Sequence, residues 1–402
     1  MFLVSRFYSG PRVISINNII KAAIQAVFLL VLTFVYGSSA VGYLSVALIT
    51  IAILAPFTEW GGYEYILSQG SESEIPMAVA ENITLIFIAL VLITTFGAIF
   101  VNLFDIYFTP TLFLFYITSE LILARLAVVN YSLVIRNSQN ILINRVDVPW
   151  ILNRLFPIVL VPFVELEKML LMVCILNCIF SLFFASQVKK LVSLNFRRIN
   201  LNKRFKFGIA FGASSVAVAL SGNVPSLILS QQISADKLGV FYIVYRIYNI
   251  GILPLSSYFS SQYPIMFSTA LRNINEVIEL GRAVRGTALK ISFISSVIML
   301  LGGFLLKFAV EDEVDIFLLT LAFTLSIPFF AIFTAAADTM TSMNFNTYRT
   351  ILQYKGSLTT IFVAVVSVES FGVYAVPLSI FSGLFVMSFI ISKRMKELTH
   401  GI

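Results

Sequence analysis

The sequence predicts an all-α, polytopic membrane protein with about 12 transmembrane helices in two six-helix halves. Three observations carry this expectation. Hydrophobic residues make up 59% of the 402-residue chain, and charged residues only 12%, about half the roughly 25% of a soluble domain. The mean hydropathy is +0.95. Apolar runs long enough to cross a bilayer recur from one end of the chain to the other. A water-facing surface cannot be built from so few polar side chains. The composition therefore excludes a cytosolic enzyme, a secreted disulfide scaffold and a disordered tail.

A spanning helix takes about 20 mostly apolar residues. By that measure the first half holds runs at about 13–35, 41–69, 77–103, 110–135, 147–164 and 168–188. The second half holds runs at about 207–231, 239–268, 286–308, 315–342, 350–369 and 371–392. The fifth run is marked by Asp147 and Arg154, in or beside it. The first carries Asn17, Asn18, Lys21 and Gln25, which reads as a true span and not as a cleavable signal peptide.

Charge then orients the helices. Of 27 Lys and Arg, 21 fall in loops and ends on one side. Only Lys168, Lys237 and Lys307 fall on the other, and Arg125, Arg154 and Arg246 lie within spans. Basic loops stay cytoplasmic, so both termini are expected in the cytoplasm and the acidic run Glu311, Asp312, Glu313 and Asp315 outside. The net charge of +7 is thus a topogenic signal, and no nucleic-acid partner is expected.

The basic stretch 189–206 reads as a cytoplasmic linker between halves 1–188 and 207–402. The halves echo one another weakly. Gly42 precedes Pro56 by 14 residues in the second span of the first half, and Gly239 precedes Pro254 by 15 in the second span of the other. This favours two repeats of like orientation, an arrangement common in transporters. Residues 270–290 have helical apolar spacing (Leu271, Ile274, Val277, Ile278, Leu280), with Arg272, Glu276, Glu279, Arg282 and Arg285 interleaved. They are expected to form an amphipathic helix on the cytoplasmic face.

Several chemistries are excluded. The single histidine is His400, two residues from the end, which removes His-based triads, relays and zinc sites. Cys174 and Cys178, four apart in an apolar run, read as packing residues and not as a disulfide or metal pair. No G-x-x-x-x-G-K-[ST] loop occurs, so the chain does not hydrolyse ATP. No catalytic residue, cofactor or metal is expected.

Some residues suggest a family. A short turn, a glycine and a long aromatic second span recur at Gly42-Tyr43 and at Gly239-Val240-Phe241-Tyr242. The eighth span reads Tyr242-Ile-Val-Tyr-Arg246-Ile, and Trp60-Gly61-Gly62 closes the second. With the length, the span count and the basic central loop, these resemble the O-antigen (lipid-linked oligosaccharide) flippases of the multidrug/oligosaccharidyl-lipid/polysaccharide exporter superfamily. The resemblance implies a transporter of the bacterial inner membrane, not an enzyme. It would flip an isoprenoid-diphosphate-linked oligosaccharide to the periplasmic leaflet by alternating access of the two halves. It also implies a coupling ion (H+ or Na+) and other polysaccharide assembly proteins as partners, beside membrane lipids. Drug-expelling relatives have the same span count, so an ion-coupled multidrug exporter is the alternative. A membrane-embedded polymerase or ligase is disfavoured, because those enzymes carry a large outside loop and no outside loop here exceeds about ten residues.

A charge at mid-bilayer costs about 2.5–3.5 kcal/mol, so each needs a reason. Arg246 sits near the middle of its span, with Tyr242 and Asn249 on the same helical face. It either meets the substrate diphosphate through its fork of donors or makes a structural ion pair between helices. Asn17, Lys21 and Gln25 step by four along the first span. Lys21 either contacts phosphate or snorkels to the interface. Asp147, Trp150 and Arg154 share a face, as a local network or as a sugar-stacking tryptophan beside a phosphate-binding arginine. Glu120 and Arg125 lie about 140° apart around one helix, so each is expected to find its partner on another span. Asp338, with Glu59 and Glu120, is a candidate for ion coupling or for a structural acceptor.

Overall fold

The structure is a computed structural model that describes residues 2–69, 71–100, 108–136, 144–194, 196, 199–270, 272–309, 314–343 and 345–400. Arg197, Arg198 and the acids Glu311, Asp312 and Glu313 lie outside the described residues, and the side chain of His400 is not described.

Fourteen α-helices and three single helical turns, at Glu72–Glu74, Val161–Phe163 and Gly372–Tyr374, account for the described secondary structure, with no strand among the described residues. In order they are α1 (Phe2–Tyr36), α2 (Ser38–Glu59), α3 (Gly62–Leu67), α4 (Ile75–Phe100), α5 (Pro110–Arg136), α6 (Asn144–Leu160) and α7 (Leu166–Leu191). Then come α8 (Leu201–Ser230), α9 (Ala235–Ala270), α10 (Ile274–Ala309), α11 (Ile316–Thr324), α12 (Ile327–Ser342), α13 (Asn346–Phe371) and α14 (Ala375–His400). Eleven helical stretches among the described residues are long and apolar enough to cross a membrane. The last, Asn346–Glu397, runs for 52 residues. It holds two helices, α13 and α14, joined by a turn at Gly372–Tyr374. Phe163, Leu182, Phe293, Phe362 and Phe389 are among many large apolar side chains on the outer surface. Hydrocarbon accepts such a surface and water does not.

Breaks fall where the backbone demands them. Gly37, with φ +85°, separates α1 from α2. Asp315 caps α11 by accepting from the Leu318 amide at 3.1 Å, and Pro328 stands in the first turn of α12, where no amide hydrogen is needed.

The chain forms two compact units. One comprises 27–219, and the other 1–26 with 220–402, so the division falls within α1 and α8. In the first, α5 packs on α7. Phe184 is wholly buried beside Leu123, Ala127 and Val146, and Asn130 donates to the Phe184 carbonyl at 3.0 Å. In the second, α13 and α14 form an antiparallel hairpin held by small residues. A Cβ on Gly383 would press on the Gly356 carbonyl and the Thr360 hydroxyl, so only glycine permits that approach. Phe333, Ala337, Met340, Leu352, Met387 and Ile391 form a core there.

One expectation needs correction. Residues 270–290 are not a separate surface helix. Helical spacing is present, but from Ile274 onward it is the first half of α10, which runs unbroken to Ala309. Val277, Ile278, Gly281 and Val284 are buried, and Gly281 lies against Thr339 of α12. Neither proline nor a positive-φ residue interrupts α10, so the amphipathic face and the apolar span propagate as one helix.

Candidate functional site

The candidate residues fall into two sets, one in each unit. In the unit of 1–26 and 220–402, Arg246 lies on α9. Its guanidinium donates to the Tyr242 hydroxyl, stands 5.0 Å over the Tyr242 ring and reaches Gln25 of α1 at 3.5 Å. Among the described residues no carboxylate pairs with it, and its Nε, like that of Arg125, Arg154, Arg204 and Arg349, has no partner there. Asn249 lies one turn on, on the same helical face, and the Tyr245 hydroxyl donates to the Gly222 carbonyl at 2.7 Å. The aromatic residues continue the face: Tyr245 and Tyr248 rings lie 6.1 Å apart, Tyr248 stacks on Phe323 at 4.9 Å, and its hydroxyl accepts from Ser326 at 2.9 Å. Tyr242, Tyr245 and Tyr248 recur near helical periodicity, so α9 sets three buried aromatic side chains, their hydroxyls each bonded within the unit, beside one guanidinium. Lys21 is half-buried on α1, four residues before Gln25.

Asp338, on α12, is 5% exposed and accepts from Arg349 of α13 at 3.1 Å. The same arginine reaches the Thr341 hydroxyl at 3.3 Å. The acid that stands alone in the sequence therefore has a cation beside it in the fold.

In the unit of 27–219, Glu120 and Arg125 point to different helices, as their spacing implies. Arg125 pairs with Glu59 of α2, and Arg154 of α6 grips both oxygens of Glu120. Arg154 also lies 4.7 Å over Trp150. Asn177 of α7 donates to Glu120 at 3.0 Å and accepts from Asn153 at 2.8 Å. Asn153 and Asn177 are wholly buried. The result is a polar network on α5, α6 and α7 in which Glu120 is matched by one cation and a further donor, while Asn153 Oδ1 and Arg154 Nε are buried without a partner among the described residues. Asp147, also buried, lies on the same face of α6 as Arg154.

Arg204, assigned by sequence to the basic linker, is instead wholly buried at the start of α8. It donates to the Trp60 carbonyl at 2.8 Å, the Glu59 carbonyl at 3.0 Å and the Asn82 side chain at 2.9 Å. The last carbonyls of a helix have no partner within it, and Arg204 supplies one at the end of α2. Tyr65 lies beneath its guanidinium at 4.9 Å and donates to Glu81, which also accepts from the Asn200 amide at 2.7 Å. Burial lowers the Arg204 pKa to about 10, against the opposing pull of Tyr65, Glu81, Glu64 and Glu59. It stays protonated near neutral pH. The only sequence signal for this role was the nearness of Arg204 to a helix start.

No protein-family model matches the chain, and no curated protein does. Solved structures match along its whole length. A multidrug resistance MATE family transporter of the MOP superfamily, in an inward-facing conformation, aligns with a TM-score of 0.71 and 16% identity over 99% of either chain. A MOP superfamily transporter from Pyrococcus furiosus, in which reverse polarity of the binding pocket suggests a different function, aligns with a TM-score of 0.70 and 17% identity. That alignment covers 96% of this chain and 95% of that one. MATE in complex with MaL6 aligns with a TM-score of 0.69 and 14% identity over 96% of each chain. The chain has the fold of these transporters from end to end.

Proposed function

We propose that the chain is a secondary transporter working by alternating access, and that its cargo is an anionic amphiphile: an isoprenoid-diphosphate-linked oligosaccharide moved from the cytoplasmic to the periplasmic leaflet. One observation carries the cargo reading. Arg246 holds its charge on an aromatic, hydroxyl-bearing helix face with a phenol and an amide as partners and no carboxylate among the described residues. The arginines of the other set are each matched by a glutamate. A guanidinium left without a counter-ion in a low-dielectric site favours an anion, and its fork suits phosphate oxygens. Lys21 would add to the attraction.

The neighbours described as multidrug resistance transporters favour a second reading, an ion-coupled multidrug exporter. A shared fold does not fix the cargo, because a third neighbour is set apart by the reversed polarity of its pocket. A cationic drug calls for exposed carboxylate, whereas Glu120 and Asp338 are buried and, like Glu59, each held by an arginine. Any coupling proton or sodium ion would have to compete with that arginine. We place the chain in a bacterial inner membrane with both termini cytoplasmic, alongside other polysaccharide assembly proteins.

Deleting the gene and following surface glycan alongside dye sensitivity separates the readings. Loss of surface polysaccharide, with lipid-linked units held on the cytoplasmic side, supports the flippase. Unchanged glycan with new dye sensitivity replaces it with the multidrug exporter. Arg246→Ala, at equal protein level, should lower glycan display by about tenfold or more, the worth of a lost charged hydrogen bond, while Arg246→Lys retains part of it.

A further inference from the structure

The cytoplasm-side half of α10 carries charge that the transport site does not use. Arg282, Arg285 and Lys290 are exposed and make no ion pair or hydrogen bond among the described residues. One turn beyond Lys290 the same outer face becomes apolar. Phe293 is 71% exposed, Ile298 62%, Leu305 67% and Phe308 73%. The opposite face, from Val277 and Gly281 through Val284, Ala288, Ser292 and Ser295, is buried against the rest of its unit.

The spacing along the helix matches the layers of a bilayer. At about 1.5 Å per residue, Phe293 to Phe308 spans roughly 22 Å, close to a hydrocarbon core of about 30 Å once Ile291 and the helix end are included. Lys290 then stands roughly 4 Å outside Phe293, at headgroup depth, while Arg285 and Arg282 stand roughly 12 and 16 Å outside it, on the water side of a headgroup layer about 5–7 Å deep, which their long side chains can still reach. The acids of this helix, Glu276 and Glu279, are exposed and lie farther out still. The bases therefore lie nearer the lipid phosphates than the acids do, Lys290 nearest of all.

We propose that this face of α10 is a docking surface for the phosphate headgroup of an anionic membrane phospholipid, whose acyl chains run along the exposed apolar stripe. The three unpaired bases supply the charge complement, and the continuity of bases with the stripe accounts for a headgroup and its tails together. The surface is separate from Arg246 and stands whichever cargo is transported.

The test places p-benzoylphenylalanine at Phe293 of the full chain, reconstituted in phosphatidylcholine vesicles with and without a minor share of phosphatidylglycerol. Photo-crosslinked lipid is then identified by mass. Phosphatidylglycerol adducts should exceed their share of the bilayer by roughly fivefold, as one engaged base near the surface implies. Combined Arg282→Gln, Arg285→Gln and Lys290→Gln should return the adducts to bulk composition. If that variant fails to insert, Lys290→Gln alone should reduce the preference and Arg285→Lys should keep it. Adducts that follow bulk composition in the chain with all three bases would overturn the proposal and leave the bases as interfacial anchors only.

Discussion

Arg204 is a cation with no surface open to water, in a segment whose composition reads as a solvated basic loop. Its neighbours explain why it is tolerated: two orphan carbonyls at the end of α2 and the Asn82 amide oxygen each accept from it. A single ammonium cannot reach all three in that fork geometry. Arg204→Lys should therefore lower the apparent unfolding temperature in detergent, and Arg204→Ala should lower it further by stranding the buried Asn82 oxygen, at about 1–3 kcal/mol, and two half-buried carbonyls at less. Glu120 and Arg154 obey the same logic. Arg154→Gln leaves Glu120 buried with Asn177 as its donor, at a cost of about 3–5 kcal/mol. Adding Glu120→Gln should recover most of the loss, and a double-mutant cycle on unfolding would reveal the coupling. Additive losses would show that the pair is not a unit. The separation of Glu120 from Arg125 was legible in the sequence, because 140° around a helix is a local property. Their actual partners, Arg154 and Glu59, follow from packing between helices and have no local signal.

The end of α2 shows how an element is set by features that sequence reading finds only in part. Trp60-Gly61-Gly62 marks a helix end, and the backbone there makes a left-handed turn, with φ 43° at Trp60 and 69° at Gly61. Glycine takes that conformation without a Cβ penalty, so Gly61 is explained locally. Trp60 is explained only by α8. Its indole lies across Gly208 and Gly212, stacks on Phe205 at 5.3 Å and donates to the Phe205 carbonyl at 3.1 Å. A Cβ on Gly208 would overlap both the indole and the Trp60 carbonyl. Gly208→Ala should thus destabilise the protein by about 1–3 kcal/mol as overpacking. Trp60→Ala in the same chain should recover part of that loss, because the carbonyl clash remains. An unchanged melting temperature for Gly208→Ala would deny the close approach. The expectation of a separate helix at 270–290 fails for a related reason. Charges on one face suggest the end of a span, whereas α10 simply continues from headgroup to hydrocarbon, and its buried face is continuous from Val277 to Ser295.

At the scale of the whole molecule, span count and fold class were legible because both follow from apolar length, which the bilayer dictates. The division of the chain at 26/27 and 219/220 has no such signal, since it falls inside helices where hydropathy does not change. Orientation rests on charge alone and makes a sharp prediction around α7. Its 26 residues extend about 39 Å, enough to cross hydrocarbon once. Exposed Lys168 stands at one end, and Lys189, Lys190 and the linker at the other. If basic loops are cytoplasmic, Lys168 and Lys206 lie on opposite sides of the membrane. With both native cysteines replaced by alanine, a membrane-impermeant maleimide should label Lys168→Cys and Asp315→Cys in intact cells, and Lys206→Cys only after permeabilisation. The reverse pattern would invert the protein and place its basic α10 face at the outer leaflet. Labelling of Lys168→Cys and Lys206→Cys from the same side would mean that α7 does not cross, and the twelve-helix count would fall with it.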